Sequence, residues 1–248
     1  MCGEALIDLA PASDAADTFS STWHALSAGG PMNTAVALGR LGADVHFLGR
    51  LSRDSFGAQL RGHIQKSNVA LDLTIESSQS TSIAVVSLDA AGVASYTFHF
   101  AGTANFDWQP EDLPVLDADD WLHIASLACV VRPGSEVLLD WTQTCGAGMS
   151  YDINVRPTVI TDPKAYWEEV QPGCGSSAST VVWSRPATQM SHSWPSQKAM
   201  TPTGGRARRL GRAVRSADWS PHSGCRGCAG RGHRWPPYGS ARLPGEGG

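Results

Sequence analysis

A break in composition at Pro172 constrains this chain more than any single motif. Residues 1–172 carry 21 Asp and Glu against 8 Lys and Arg, a net charge of −13. Residues 173–248 carry 2 against 11, a net charge of +9, with 13 of the 26 glycines and 7 of the 15 prolines. Only 5 residues of this second part are Leu, Ile, Val or Phe, too few to close a core. The part expected to fold is therefore 1–172, and 173–248 is expected to be irregular or disordered.

Within 1–172 strand and helix periods alternate, which argues for a parallel sheet with helical crossovers. Glu4-Ala5-Leu6-Ile7-Asp8-Leu9 reads as a strand that opens so close to Met1 that its start looks clipped. Asp8 stands near its C-terminal end, where parallel sheets bind ligands, although an Asp there can equally cap a turn. Residues 10–28 read as loop or edge strand. Gly29-Gly30-Pro31-Met32-Asn33 then opens a helix that stops at Gly42. Pro31 suits a first helical position and Gly42 a C-terminal cap. Ala35, Leu38 and Gly42, with Val36 and Leu41, give the helix a small apolar face. Asn33 sits at the helix mouth, where backbone N–H groups also point. Such a mouth suits the hydroxyls of a small polar ligand, and it also suits an ordinary loop-to-helix junction.

Asp44–Arg50 reads as a second strand and Asp54–Lys66 as a helix, with Phe56, Leu60 and Ile64 on one face. Strands at 71–75, 81–88 and 94–100 break the rhythm, with a hairpin turn at Asp89-Ala90-Ala91-Gly92. This insert is a candidate lid or an edge extension of the main sheet. A small polar loop, Ala101 to Asn105, follows, and Pro110–Leu116 suggests a short helix. Trp121–Ser126 reads as a buried strand, Ser135–Thr144 as a helix opened by Pro133, and Tyr166–Val170 as the start of another. Between them Ser150–Pro157 reads as a strand whose alternation puts Asp152, Asn154 and Arg156 on one side. A carboxylate, an amide and a guanidinium at a strand end suit a polar, phosphorylated ligand, or form a surface ion pair.

The sequence has no apolar run of about 18 residues and no basic flank before an apolar core, so neither a membrane span nor a signal peptide is expected. Six cysteines at irregular spacing do not form a disulfide framework, and a cytoplasmic protein is expected.

Taken together, Gly3-Glu4-Ala5-Leu6-Ile7-Asp8, the Gly29-Gly30…Asn33 helix ending in Arg40-Leu41-Gly42, Asp54-Ser55-Phe56-Gly57 and Tyr151-Asp152-Ile153-Asn154-Val155-Arg156-Pro157 resemble the ribokinase/PfkB carbohydrate kinases. Fructokinases and 2-keto-3-deoxygluconate kinases are the nearest subgroup, and the resemblance covers roughly residues 3–172. It implies a ribokinase-like three-layer α/β/α fold with a small β lid over about 71–105. It also implies transfer of the γ-phosphoryl group of ATP, with Mg2+, to a sugar hydroxyl. Asp8 would bind sugar hydroxyls. Gly29, Gly30 and Asn33 would form the sugar site and lid hinge. Arg156 would sit near a sugar acid or the transferred group, with Asn154 beside it. Asn105 joins the substrate-binding candidates, and pairing of two chains through their lids is a further implication.

Two parts of that machinery have no counterpart. The family places a catalytic carboxylate and a helix-mouth anion hole in Asp-Thr-x-Gly-Ala-Gly-Asp, and the 248 residues contain no such motif. Thr144-Cys145-Gly146-Ala147-Gly148-Met149 imitates it, with Met149 in place of the base and ahead of the Asp152 strand. No Asn-x-x-Glu follows Pro172 either. The expectation is a sugar kinase by family that performs no phosphoryl transfer, or a sugar-binding remnant. The tail has the composition of out-of-frame translation of a GC-rich gene, which the coding DNA around codon 172 tests. Its rival is a basic nucleic-acid module through Arg206, Arg208, Arg209, Arg212 and Arg215, with Cys225, Cys228, His222 and His233 as a weak zinc pattern.

Overall fold

The chain enters a sheet at its first residue. The amino group of Met1 donates to His46 O, and Leu48 N donates to Met1 O, each at 2.8 Å. Cys2 is bridged in parallel to Leu48 on one side and Ile124 on the other. These contacts come from a computed structural model, which describes residues 1–12, 19–88, 94–175 and 180–183, all within the unit Met1–Thr203. The proposed turn at 89–92, the tail arginines and the Cys225–Cys228 pattern lie outside the described residues.

In chain order the elements are β1 (Leu6–Pro11), β2 (Trp23–Ala28), α1 (Gly30–Arg40), β3 (Arg50–Ser52), α2 (Ser55–Gln65), β4 (Ile75–Ser77), β5 (Ile83–Leu88), β6 (Ala94–His99), β7 (Trp121–Ala125), α3 (Gly134–Thr142), β8 (Gly148–Asp152), α4 (Pro163–Val170) and β9 (Thr180–Trp183), with short 3-10 turns between some of them. Parallel pairing joins β4 to β3, and β7 to β8 to β9. The segment at Met1–Glu4 links these two groups into one main parallel sheet. Its side chains alternate between two cores. Leu48, Leu122, Ile124, Met149 and Tyr151 pack with Leu138 and Leu139 of α3 and with Tyr166 and Val170 of α4. Phe47 and Leu51 pack on the other side with Met32, Ala35 and Val36 of α1, Leu60 and Ile64 of α2, and Ile7 of β1. The expected three-layer arrangement is therefore present.

Past Glu4 the chain leaves this sheet and founds a second, smaller one in the order β2-β1-β5-β6. β1 pairs antiparallel with β2 and parallel with β5, and β5 pairs antiparallel with β6. The bend is braced by Asn105. Its Oδ1 accepts from Ala5 N at 3.2 Å, and its Nδ2 donates to Ala5 O and Ser82 Oγ, each at 2.8 Å. The 71–105 segment expected as a lid is thus divided. β4 belongs to the main sheet, whereas β1 and β2, which lie outside that segment, belong to the small one.

The α1 helix starts as expected, with Pro31 in its first turn, and Gly42 follows its end at φ 85°. Leu41, assigned to the apolar face, instead caps the helix and is exposed. At α2 the Asp54 side chain accepts from Gly57 N at 2.7 Å and caps the helix. It also accepts from Thr81 N at 2.8 Å and Thr81 Oγ1 at 2.6 Å, which ties α2 to the entry of β5. Burial alone would raise this carboxyl, but the Thr81, Gly57 and Ser52 hydrogen bonds outweigh it and hold it down at about 2.

Several expected elements change, and the strands expected at Asp44–Arg50 and 71–75 are β3, Arg50–Ser52, and β4, Ile75–Ser77. The helix at 110–116 is a single 3-10 turn, Pro110–Asp112. The strand at 150–157 ends at Asp152, which accepts from Asn154 N at 3.0 Å and turns the chain out of the sheet. The ordered pattern also runs past Pro172. The turn Gln171–Gly175 follows α4, and β9 adds a parallel strand beside β8.

Candidate functional site

Three loops meet where the parallel strands end: the mouth of α1, the 3-10 turn Ser126–Cys129 after β7, and the turn after β8. Glycine makes the approach feasible. Gly29 has φ 124°, and a Cβ there would lie 2.5 Å from Glu4 O. A Cβ on Gly30 would lie 3.4 Å from Asn154 Nδ2 and 3.8 Å from Ser126 Cβ, so the first residue of α1 faces both other loops. Asn154 Nδ2 donates to Ser126 Oγ at 3.2 Å. Ser126 and Asn154 hold left-handed backbones, at φ 65° and φ 42°. Non-glycine residues reach that region at a cost of about 1–3 kcal/mol and keep it where neighbours enforce it.

Glu4 is such a neighbour. It is buried, and its Oε2 accepts from Ala128 N at 3.2 Å. Burial is the largest influence and raises its pKa above the ordinary carboxylate value, against the opposing pull of its own N–H, the Ser126 side chain and the Ala128 and Leu127 N–H groups. A glutamate in the apolar run Ala5-Leu6-Ile7 was the signal available in sequence, since a buried carboxylate needs partners. Ser126 carried no signal, because its backbone conformation is set by tertiary packing.

Asp8 lies on β1, opposite Leu26 of β2 and Ala84 of β5. Its side-chain face is that of Leu6, which packs with Leu127, Phe106 and Val131, while Ile7 packs on the opposite side. Asp8 is half-buried, and burial raises its pKa. Leu26 and Tyr96, on the same face, are exposed. Tyr96, Phe98, Phe100 and Phe106 follow one another at ring-centroid separations of 6.2, 5.9 and 5.5 Å, forming an aromatic row.

Asn33 is exposed at the mouth of α1, and its N donates to Gly29 O at 2.8 Å. Arg156 is half-buried, and its N donates to Tyr166 Oη at 3.2 Å. Burial pushes that phenol up to about 12, so it stays a neutral acceptor at neutral pH. Asp152, Asn154 and Arg156 keep the expected alternation, with Ile153 and Val155 buried between them, although a turn rather than a strand provides it. Asn105 is placed differently from its expected role. It is buried and spends both amide donors on Ala5 O and Ser82 Oγ. The glycine-rich Thr144–Met149 runs into the start of β8, at the end opposite the site, with Met149 buried in the core.

Among the described residues no group of three His, Cys, Asp or Glu is placed to hold a metal ion. The donor set around Gly30 is one carboxylate held by its own loop, a hydroxyl and an amide. That set does not fit Mg2+ carrying a triphosphate. No described helix is long and apolar enough to cross a membrane.

A three-layer α/β domain with a second small sheet, carrying a polar junction at its strand ends, defines a fold class shared with many solved sugar kinases. Fructokinase from Xylella fastidiosa superposes with a TM-score of 0.60 at 28% identity, over 68% of this chain and 57% of that one. Fructokinase from Vibrio cholerae O395 in apo form gives a TM-score of 0.59 at 27% identity, over 70% and 59%. The chain belongs to the pfkB family of carbohydrate kinases, whose model matches residues 1–174. Among curated relatives, the fructokinase of Klebsiella pneumoniae is 32% identical over 166 residues, 65% of this chain and 52% of its own length. The fructokinase of Rhizobium leguminosarum bv. trifolii is 34% identical over 175 residues, 68% and 52%. The chain thus spans about half the length of the curated relatives it matches.

Proposed function

We propose that this chain carries the sugar-receiving side of a fructokinase-like kinase and binds a ketose without phosphorylating it. The observation that carries this reading is the meeting of Gly29-Gly30, Ser126 and Asn154 at the ends of parallel strands. Sugar hydroxyls both donate and accept, so a carboxylate and an amide are their natural partners. Asp8 accepts from hydroxyls, Asn33 and Asn154 offer amides, and Arg156 supplies a cation for a negatively charged group. Gly30 leaves the space in which the ring lies.

Phosphoryl transfer needs a carboxylate to take the hydroxyl proton and donors for the charge developing on the phosphoryl oxygens. The family supplies both in a Gly-Ala-Gly-Asp motif that the 248 residues do not contain. The relatives named fructokinase support the choice of a ketose, and solved neighbours such as the ATP-bound Xylella fastidiosa fructokinase support a nucleotide donor for the complete enzymes.

The test is calorimetric titration of the full chain with D-fructose, alongside an assay of ATP-dependent fructose phosphorylation. Saturable heat with no turnover is the expected result. Gly30→Val, which fills the space before Asn154 and Ser126, is expected to remove the heat and leave the fold intact. Turnover by the wild-type chain would overturn the half-site reading.

A further inference from the structure

We infer that Asn105 is a positioning residue for Asp8: its buried amide pins the register of β1 against β5, and so decides which face of the small sheet Asp8 occupies. The small sheet is two antiparallel ladders, β1 with β2 and β5 with β6, each of six residue pairs. The parallel seam that joins them has three, Ile7 with Ile83, Asp8 with Ala84 and Leu9 with Val85. Apolar pattern does not fix this seam. Ala5-Leu6-Ile7 and Ile83-Ala84-Val85-Val86 are unbroken apolar runs, and Leu6 and Ile7 are both buried, on opposite sides. A slip of one residue exchanges one apolar side chain for another but carries Asp8 to the opposite face.

Asn105 supplies what the pattern lacks. Along β1, Ala5 and Ile7 point their backbone groups to the same edge. At Ile7 the partner is β5, since Ile7 N donates to Ser82 O at 3.1 Å. At Ala5 the partner is the Asn105 side chain, whose Oδ1 accepts from Ala5 N and whose Nδ2 donates to Ala5 O. The amide thus stands where a further peptide of β5 would pair. Its second Nδ2 proton goes to Ser82 Oγ, on the β5 side of the seam, so one NH2 group holds both strands. The Ser82 end is itself committed. Thr103 Oγ1 donates to Phe100 O at 2.7 Å, which leaves the Ser82 hydroxyl to donate to Thr103 Oγ1 at 2.6 Å. Arg50 Nε, at the start of β3, donates to Ala104 O at 3.1 Å and fastens this turn to the main sheet. A buried polar group satisfied in a single alignment selects that alignment. The consequence for sugar binding rests on the function proposed above, but the register does not.

The experiment uses the full chain, labelled with 15N and 13C. It reads nuclear Overhauser contacts across the seam, Ile7 to Ile83 and Leu9 to Val85, with Ile7 to Ser27 and Val85 to Thr97 as controls. Asn105→Ala is expected to weaken the seam contacts and give β1 a second set of resonances, while the controls stay. Ser82→Ala, which leaves Ala5 paired with Asn105, is expected to do the same to a smaller extent, and this arm remains if Asn105→Ala fails to fold. A brace without a role in register would lower stability and leave every contact in place, so unchanged seam contacts in the folded variants would overturn the inference.

Calorimetry with D-fructose reads the consequence for Asp8. Asn105→Ala and Asp8→Asn are each expected to raise the Kd about tenfold, and the double variant no further than either. An unchanged Kd in Asn105→Ala, or additive losses of about a hundredfold in the double variant, would overturn the positioning of Asp8. If the wild type gives no heat with fructose, the sugar reading fails, and the seam contacts alone decide the register.

Discussion

At the ends of the main parallel strands, polar side chains are engaged by the chain itself. Glu4 accepts from the Ser126–Cys129 turn, Asp152 from Asn154 N, and Asn105 brackets Ala5. On the small sheet Asp8 is half-buried between an exposed Leu26 and a row of aromatic rings that ends in an exposed Tyr96. The first region spends part of its polarity on holding shape and keeps Asn33, Asn154 and Arg156 beside it, and the other presents Asp8 on an open face. The contrast separates residues engaged within the chain from residues left open, although both kinds are Asp, Glu and Asn.

Substitutions can break or sharpen this contrast. Asn105→Ala is expected to have the largest effect on stability, about 3 kcal/mol by urea denaturation. It orphans Ala5 N–H and Ala5 C=O in a buried bend and leaves Ser82 Oγ with Thr103 Oγ1 alone. A loss below about 1 kcal/mol would show that the bend does not need its brace.

Asp54→Ala is expected to cost about 1 kcal/mol through the lost helix cap. Its pH dependence carries a sign. The folded-state pKa is depressed, so the contribution is present above the ordinary Asp value and fades as pH falls toward about 2. Wild type and Asp54→Asn should therefore converge in stability across that acid window.

Asp8→Asn reverses the pattern. Burial raises the Asp8 pKa, so the folded state binds the proton more tightly and this residue's contribution declines as pH rises. At neutral pH the variant should be at least as stable as wild type, while its affinity for D-fructose falls about tenfold. Equal fructose affinity would remove Asp8 from the ligand side of the contrast. Leu41→Ser, at an exposed helix cap, should change stability by less than about 0.5 kcal/mol.

The sequence made local features readable and left tertiary ones hidden. The α1 and α2 helices follow from apolar spacing, Pro31 and the Asp54 cap, all encoded within one or two turns. The convergence of Gly29-Gly30 and Asn154 was anticipated through motif order. Glu4 and Ser126 were not placed in the site, because their roles depend on the end of β7 meeting the start of the chain. Asn105 was counted as ligand-facing because a polar loop residue and a buried brace look alike in sequence. The alternation of Asp152, Asn154 and Arg156 was read from a strand, yet it arises from a turn that Asp152 itself closes. The compositional break at Pro172 does not mark the last strand, since Thr180-Val181-Val182-Trp183 pairs with β8.

The central claim is tested most directly by titrating D-fructose into the full chain and its Asp8→Asn variant in a calorimeter. Saturable binding by the wild type that weakens about tenfold in the variant is the predicted result. No heat from the wild type, or equal affinity in both, would contradict it.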